Sequence, residues 1–347
     1  MSPAAFASAL SCHPVTSQAT GEVVGRVLEQ GGDRPDLVVV TVTRPHAGAL
    51  EDVHGILLLD KPLGLSSAGA VARAKRLFAA RKAGHTGSLD PLASGMLPIC
   101  LGEATKFGAL MLEADKTYRL ILRLGERTPS ADLESPVIER RALPPLTASD
   151  LARALADFPR AYAQVPPMHS AIKQDGKPLY VYARAGQIRE RAARSIVIHE
   201  MQLIAWSSPD VTFDVRCTKG AYMRVLAEDL ALRLSTIGHL VGLRRLGVAP
   251  FAHSPQWTFE ALEALAPEAR TRLLLPVDAA LGDWRRLDVP AEGIEAVRQG
   301  RSVVVGGECA GNVRIYAAGL GFVGLGAVEA SGRLKPLRLI SAPTNRA

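Results

Sequence analysis

Asp90 is the residue around which chemistry is most easily organised. It stands in Gly84 to Gly102, GHTGSLDPLASGMLPICLG, where four glycines and two prolines surround one carboxylate and the apolar Leu89, Leu92, Met96, Leu97 and Ile99. Between Lys61 and Gly102 there are six basic residues, Lys61, Arg73, Lys75, Arg76, Arg81 and Lys82, and Asp90 is the single acid. Asp-Pro is a common turn opener, which accounts for the dipeptide taken alone. Isolation among cations in an apolar bed adds a second reading: a carboxylate paired with an arginine, or one used as a nucleophile, the two being compatible. The glycines and prolines predict a compact loop over the whole segment rather than helix or strand.

Two further constellations could serve such a carboxylate. Arg216-Cys217-Thr218-Lys219-Gly220-Ala221-Tyr222-Met223-Arg224 marks the passage from a strand into a helix, with Tyr222 and Arg224 in a first turn whose free N–H groups attract anions. A helix start with a surface arginine and a half-buried tyrosine accounts for either residue alone. In Met168 to Arg184, the cations Lys173, Lys177 and Arg184 bracket Tyr180 and Tyr182. Rings that stack on bases beside cations that neutralise phosphates suit RNA, and core tyrosines on a strand edge explain the pattern nearly as well.

The elements that must hold these residues follow from periodicity. Ile56 to Leu59 reads as a short buried strand closed by Asp60-Lys61-Pro62, then a helix capped by Ser66 or Ser67, with Val71, Ala74, Leu77 and Phe78 as its apolar stripe and Gly84 as its end. Tyr118, Leu120, Leu122 and Leu124 alternate with more polar neighbours, as in a strand packed on one face. Thr147 with Asp150 forms a capping box for a helix to Phe158. Ile196 to Leu203 and Val211 to Cys217 flank the turn Ser207 to Asp210, Ala221 to Leu234 is helical, His239 to Val248 extended, and Thr258 to Leu265 helical. Strands and helices neither alternate regularly nor segregate, which predicts an α+β domain on a mixed, largely antiparallel sheet with flanking helices, over residues 53–282. From Leu287 a short helix, Ala291 to Arg298, and brief strands at 303–305, 313–316, 322–328 and 334–339 predict a small β-rich domain over residues 285–342. Residues 1–52 show no sustained period beyond Leu37 to Val40 and read as a largely flexible extension.

Composition narrows the classes. With 347 residues, 48% hydrophobic and 22% charged, the chain is an ordinary globular protein of about two domains. No window is apolar enough for a membrane helix, and the first 25 residues hold no Lys or Arg to precede a secretory segment. The four cysteines, Cys12, Cys100, Cys217 and Cys309, are dispersed, and no histidine pair has ligand spacing. The expectation is a cytoplasmic protein without membrane, disulfide or metal site. A net charge of +7 favours a polyanionic partner. Gly319 to Gly324 matches G-x-G-x-x-G, but no helix, strand and acid follow at the needed offsets, so it reads as tight β turns.

Taken in order, GILLLDKPLGLSS (55–67), GHTGSLDPLASGMLPICLGEATKF (84–107), DKTYRLILRLG (115–125), PPMHSAIKQDGKPLYVYARAG (166–186), CTKGAYMRVLAEDL (217–230) and GHLVGLRRL (238–246) resemble the successive motifs of the TruB family of tRNA pseudouridine-55 synthases. FVGLGAVEASGRLKPLRLI (322–340) is similar to that family's PUA-like C-terminal RNA-binding domain. The resemblance implies an isomerase that turns uridine into pseudouridine in the T-loop of tRNA, with no cofactor and no metal, tRNA as partner, no obligatory protein partner and a monomeric state. It implies Asp90 as the catalytic aspartate, His85 as a histidine that helps extrude the base, and Tyr118 as the ring stacked on the uracil. Tyr222 corresponds to an active-site tyrosine, Arg224 to the arginine that pairs with the aspartate, Leu243 to a backbone contact with the uridine, and Lys61 and Pro62 to support of the loop. Ser88 and His169 depart slightly from the family pattern, and the extension before residue 55 is longer than the family needs. An arginine within ~4–6 Å is expected to hold the Asp90 carboxyl below its usual range. Attack on C1′, attack on C6 and a glycal route all remain open. Rival expectations are an RNA-binding, RNA-refolding protein whose catalysis is secondary, and a guide-dependent synthase. A glycoside hydrolase wants two carboxylates, and the loop offers one.

Overall fold

The computed structural model describes residues 52–170, 172–306 and 310–341, together with the backbone of 10–16 and 23–30. In the N-terminal unit, β1 (Leu10–Thr16) pairs antiparallel with β2 (Val23–Gln30), a ladder that the sequence periodicity does not announce. Leu37 to Val40 lie outside the described residues.

The second unit is built on an eight-stranded sheet. In chain order its first elements are β3 (Gly55–Lys61), α1 (Ser67–Leu77), β4 (Ala83–His85), β5 (Ala93–Leu101) and β6 (Lys116–Leu124). They continue with α2 (Ala148–Ala156), β7 (Ala161–Gln164), β8 (Arg194–Ser207), β9 (Asp210–Cys217), α3 (Met223–Arg233) and β10 (Gly238–Val248). The strand order is β3-β5-β10-β6-β9-β8-β7, with β4 added to the edge of β5, and β5 with β10 is its one parallel pair. The α+β class holds. Period-2 burial on β6, with Tyr118, Leu120, Leu122 and Leu124 inward, places one face of the sheet on the core shared with α1, α2 and α3.

Two expectations fail next to the site. Gly84 to Gly102 is not one loop: β4 and β5 occupy most of it and leave only residues 86–92 irregular. Met96 to Leu101 is a fully buried apolar run, and strand pairing on both edges satisfies its backbone despite Pro98. Gly95, at φ +100, lets β10 come close: a Cβ there would lie 2.2 Å from the Arg245 carbonyl oxygen. Helix α1 is capped by Ser66, whose side chain accepts from the Gly69 N–H, but it ends at Leu77 rather than Gly84. Ala79 supplies the left-handed residue after the helix, and Gly84 belongs to β4. The Thr147–Asp150 capping box opens α2 as read. Tyr180 and Tyr182 lie on a short helix, Leu179–Arg184, not on a strand edge.

A five-stranded sheet closes the chain, formed by β11 (Arg285–Asp288), β12 (Val303–Val304), β13 (Gly311–Ala317), β14 (Gly321–Val328) and β15 (Arg333–Leu339), with α4 (Ala291–Arg298) against it. β11 was not read in the sequence; it pairs parallel with β13. Gly319 sits in the β13–β14 turn, while Gly321 and Gly324 lie in strand. This sheet docks on the larger one through Phe107 against Phe322, ring centroids 5.5 Å apart, and through Lys106 Nζ donating to the Leu339 carbonyl at 3.0 Å. Among the described residues no helix is long and apolar enough to cross a membrane.

Candidate active site

The loop from β4 to β5 carries Asp90, and its shape is fixed from three sides. Ser67 Oγ, at the start of α1, donates to the Leu89 carbonyl at 2.9 Å and accepts from the Leu89 N–H at 2.8 Å. The Gly64 N–H donates to the Pro91 carbonyl at 2.8 Å. Lys61 shapes the turn that presents Gly64: wholly buried, its Nζ donates to the carbonyls of Pro62 at 2.9 Å and Leu65 at 2.7 Å. Burial pulls the Lys61 pKa down to about 8, against the pull of Asp90 and with a further push from Arg245. Lys61 and Pro62 therefore act one step behind the loop.

Arg224, the second residue of α3, is 4% exposed and meets Asp90 with Nη2 to Oδ2 at 3.0 Å. The same guanidinium donates to the His169 carbonyl at 2.7 Å and the Ser130 carbonyl at 3.3 Å, and its Nε lies 3.7 Å from Asp132 Oδ2. Its orientation is thus set without Asp90. Asp132 is one of the residues that sequence reasoning missed. Isolated along the chain, Asp90 is not isolated in space. The segment between Arg127 and Glu139 folds back and brings Asp132 and Glu134 toward it. Nothing local marks Asp132, because its relation to Asp90 exists only through the tertiary fold.

The expected electrostatics are reversed at Asp90. The Asp90 carboxyl is pushed above the ordinary aspartate value: burial is the largest cause, Arg224 opposes it, and Asp132 and Glu134 add repulsion. Its side chain keeps 46% of its exposure, enough to be reached.

Tyr222 is the N-cap residue of α3, and Gln164 on β7 clamps it: the Tyr222 N–H donates to Gln164 Oε1 at 2.7 Å and Gln164 Nε2 donates to the Tyr222 carbonyl at 3.1 Å. Tyr118 projects from β6 into the core side, its phenol pKa raised by burial. Leu243 lies on β10 opposite Leu120 and Ala93. Asp90, Tyr118, Tyr222, Arg224 and Leu243 share a cavity of about 260 Å³. A second, apolar cavity of about 370 Å³ adjoins it, sharing Asp90, Arg224 and Leu243 and walled by Leu63, Leu92, Ile121 and Leu133. His85 stands outside these walls at the end of β4; its Nδ1 accepts from the Gly87 N–H at 3.3 Å, and burial, then Arg245, lower its pKa, so the ring is neutral at pH 7.

The cations on α1 and in the turn that follows it differ in their surroundings. Arg73 is compensated, with Nη2 2.8 Å from Glu263 and its guanidinium 4.1 Å above the Phe259 ring. Arg81 pairs with Asp52 at 3.3 Å, while Lys75, Arg76 and Lys82 have no acidic partner among the described residues. Among those residues, no three His, Cys, Asp or Glu gather as a metal site.

Comparison with known proteins gives the family. The sequence matches the family described as TruB family pseudouridylate synthase (N terminal domain) over residues 75–223. It matches the tRNA pseudouridylate synthase B C-terminal domain over 224–282, and Pseudouridine synthase II TruB, C-terminal, over 286–340. The tRNA pseudouridine synthase B of Nitrosococcus oceani is 46% identical over 84% of this chain and 96% of its own. That of Ralstonia pickettii is 51% identical over 72% and 80%. Among solved structures, a chain of a Cbf5–Nop10–Gar1 complex superposes with a TM-score of 0.63 at 22% identity, covering 83% of this chain and 85% of that one. At that identity the likeness speaks for the fold.

Proposed function

The chain belongs to the TruB family of pseudouridine synthases, and from that premise we propose that it isomerises uridine to pseudouridine in the T-loop of tRNA, at position 55, with Asp90 as nucleophile. The observation that carries the reading is the Asp90–Arg224 pair, 3.0 Å apart, at a cavity walled by Tyr118 and Tyr222. Arg224 is held by two main-chain carbonyls, so it can aim the carboxylate rather than follow it.

The reaction breaks the bond from C1′ to N1, turns the uracil and rejoins it through C5, and the proton on C5 is exchanged for one on N1. Atoms balance and no electron acceptor is needed, so the reading requires neither cofactor nor metal. A base inside folded RNA must be swung out at a cost of a few kcal/mol, offset by stacking and pocket contacts. Tyr118 and Tyr222 supply aromatic surface, the Leu243 backbone a contact to the ring, and neutral His85, at the end of β4, assists extrusion. Lys61 and Pro62 hold the turn against which the loop rests. The working form is a cytoplasmic monomer that needs tRNA and no protein partner.

Incubating a T-arm stem-loop with purified protein and mapping pseudouridine tests this. Wild type converts the uridine without added proteins or guide RNA, whereas Asp90→Asn binds the RNA and converts none. Full turnover by Asp90→Asn would remove the nucleophile; a need for partner proteins would favour a guide-dependent enzyme.

A further inference from the structure

The motif GHLVGLRRL contains two adjacent arginines on β10 with different surroundings. Neighbouring strand residues point to opposite faces. Arg244 forms a bidentate pair with Asp60, at 2.9 and 2.7 Å. Arg245 goes the other way, beneath the Asp90 loop, and is 1% exposed. It has no acidic partner among the described residues. Instead its Nε donates to the Met96 carbonyl at 2.7 Å, its Nη2 to the Gly87 carbonyl at 3.0 Å, and its Nη1 reaches the Ser88 carbonyl at 3.4 Å. Gly87 and Ser88 precede Asp90, and Met96 follows it on β5, so one guanidinium ties both ends of the loop to the strand that also carries Leu243.

We propose that Arg245 is a positioning residue for the isomerisation: by spanning the carbonyls of Gly87, Ser88 and Met96 it fixes the Asp90 loop relative to Leu243 and Tyr118. Three independent features support a role in placing the loop. Three acceptors spread over two segments match the planar five-donor fork and cannot be spanned from the single point of an ammonium. The backbones at Gly95 and Arg245 are in close contact, so the guanidinium has a fixed origin. Arg245 and Tyr118 face each other in the β10–β6 register and line the same cavity, so a shift of the fork is a shift of the pocket wall.

This inference rests on the proposed reaction and is tested beside it, with wild type and Asp90→Asn as references on the T-arm stem-loop. Arg245→Lys keeps the charge and loses the fork. Its kcat is expected to fall about 10- to 100-fold, since displacements of about an ångström cost that much, with KM and RNA affinity within about threefold of wild type. Arg245→Ala should recover part of its lost kcat when guanidinium is added at concentrations well below those that unfold the protein. A folded Arg245→Lys enzyme with wild-type kcat overturns the proposal, as does a loss in both variants that merely follows the folded fraction and is not relieved by guanidinium. Failure of wild type to convert uridine would instead count against the reaction itself.

Discussion

At Asp90 two influences compete: a guanidinium that favours the ionised carboxylate, and burial with two nearby carboxylates that disfavour it, and the second wins. A carboxyl whose folded pKa is raised binds its proton at higher pH than an ordinary aspartate. If the ionised form works, activity falls on acidification earlier than the usual aspartate range would suggest. Replacing Glu134, whose side chain is 48% exposed, by Gln removes one source of repulsion, so the acid limb of the pH–activity profile should move to lower pH while the neutral-pH rate changes little. An unmoved limb would show that Glu134 does not act on Asp90. Asp90, Tyr118, Tyr222 and Arg224 were legible because their neighbours along the chain mark them: glycines and cations around one, strand alternation around another, a helix start around the last two. Asp132, Gln164 and Arg245 were not. Asp132 carries no local signal, Gln164 matters through its clamp on a residue 58 positions away, and Arg245 through a loop on another strand.

At the scale of elements, Gly84 to Gly102 sets backbone freedom against burial. A glycine and a proline within 93–101 argue against a strand if backbone freedom is weighed alone. Burial between β3 on one edge and β10 with β4 on the other outweighs it, and Gly95 is there because β10 leaves no room for a side chain. Gly95→Ala should therefore cost about 2 kcal/mol or more, read as a lowered denaturation midpoint, since both the left-handed φ and the contact with the Arg245 backbone oppose a Cβ. A midpoint equal to wild type would mean the strands can separate cheaply. Ser67→Ala probes the link between α1 and the loop: it leaves the N–H and C=O of Leu89 unpaired in a buried setting, at about 1–3 kcal/mol, and should lower kcat more than KM. The strands β6, β8, β9 and β10 were readable because their alternation or length survives in the sequence; β4 and β11 are too short to show a period.

At the scale of the whole molecule, net charge favours RNA, but the structure separates cations that are available from those already neutralised. Lys75, Arg76 and Lys82 are available and Arg73 is not. If α1 and the turn that follows it face phosphate, the slope of log K against log salt should fall by about 0.7–0.9 for each of the three replaced by Gln, and stay unchanged for Arg73→Gln. Equal effects at all four positions would show that the Glu263 pair opens on binding. The C-terminal sheet is anchored by Phe107 against Phe322 and by Arg314 donating to Asp278 at 2.9 Å, so it presents its surface at a set angle to the pocket. Arg224 takes main-chain acceptors from residues 130 and 169, which lie 94 and 55 positions away and belong to separate excursions of the chain. The Asp90–Arg224 pair consequently reports on completion: a nascent or partly opened molecule can own the whole sheet and still lack a fixed Arg224, which is held only when both excursions have returned.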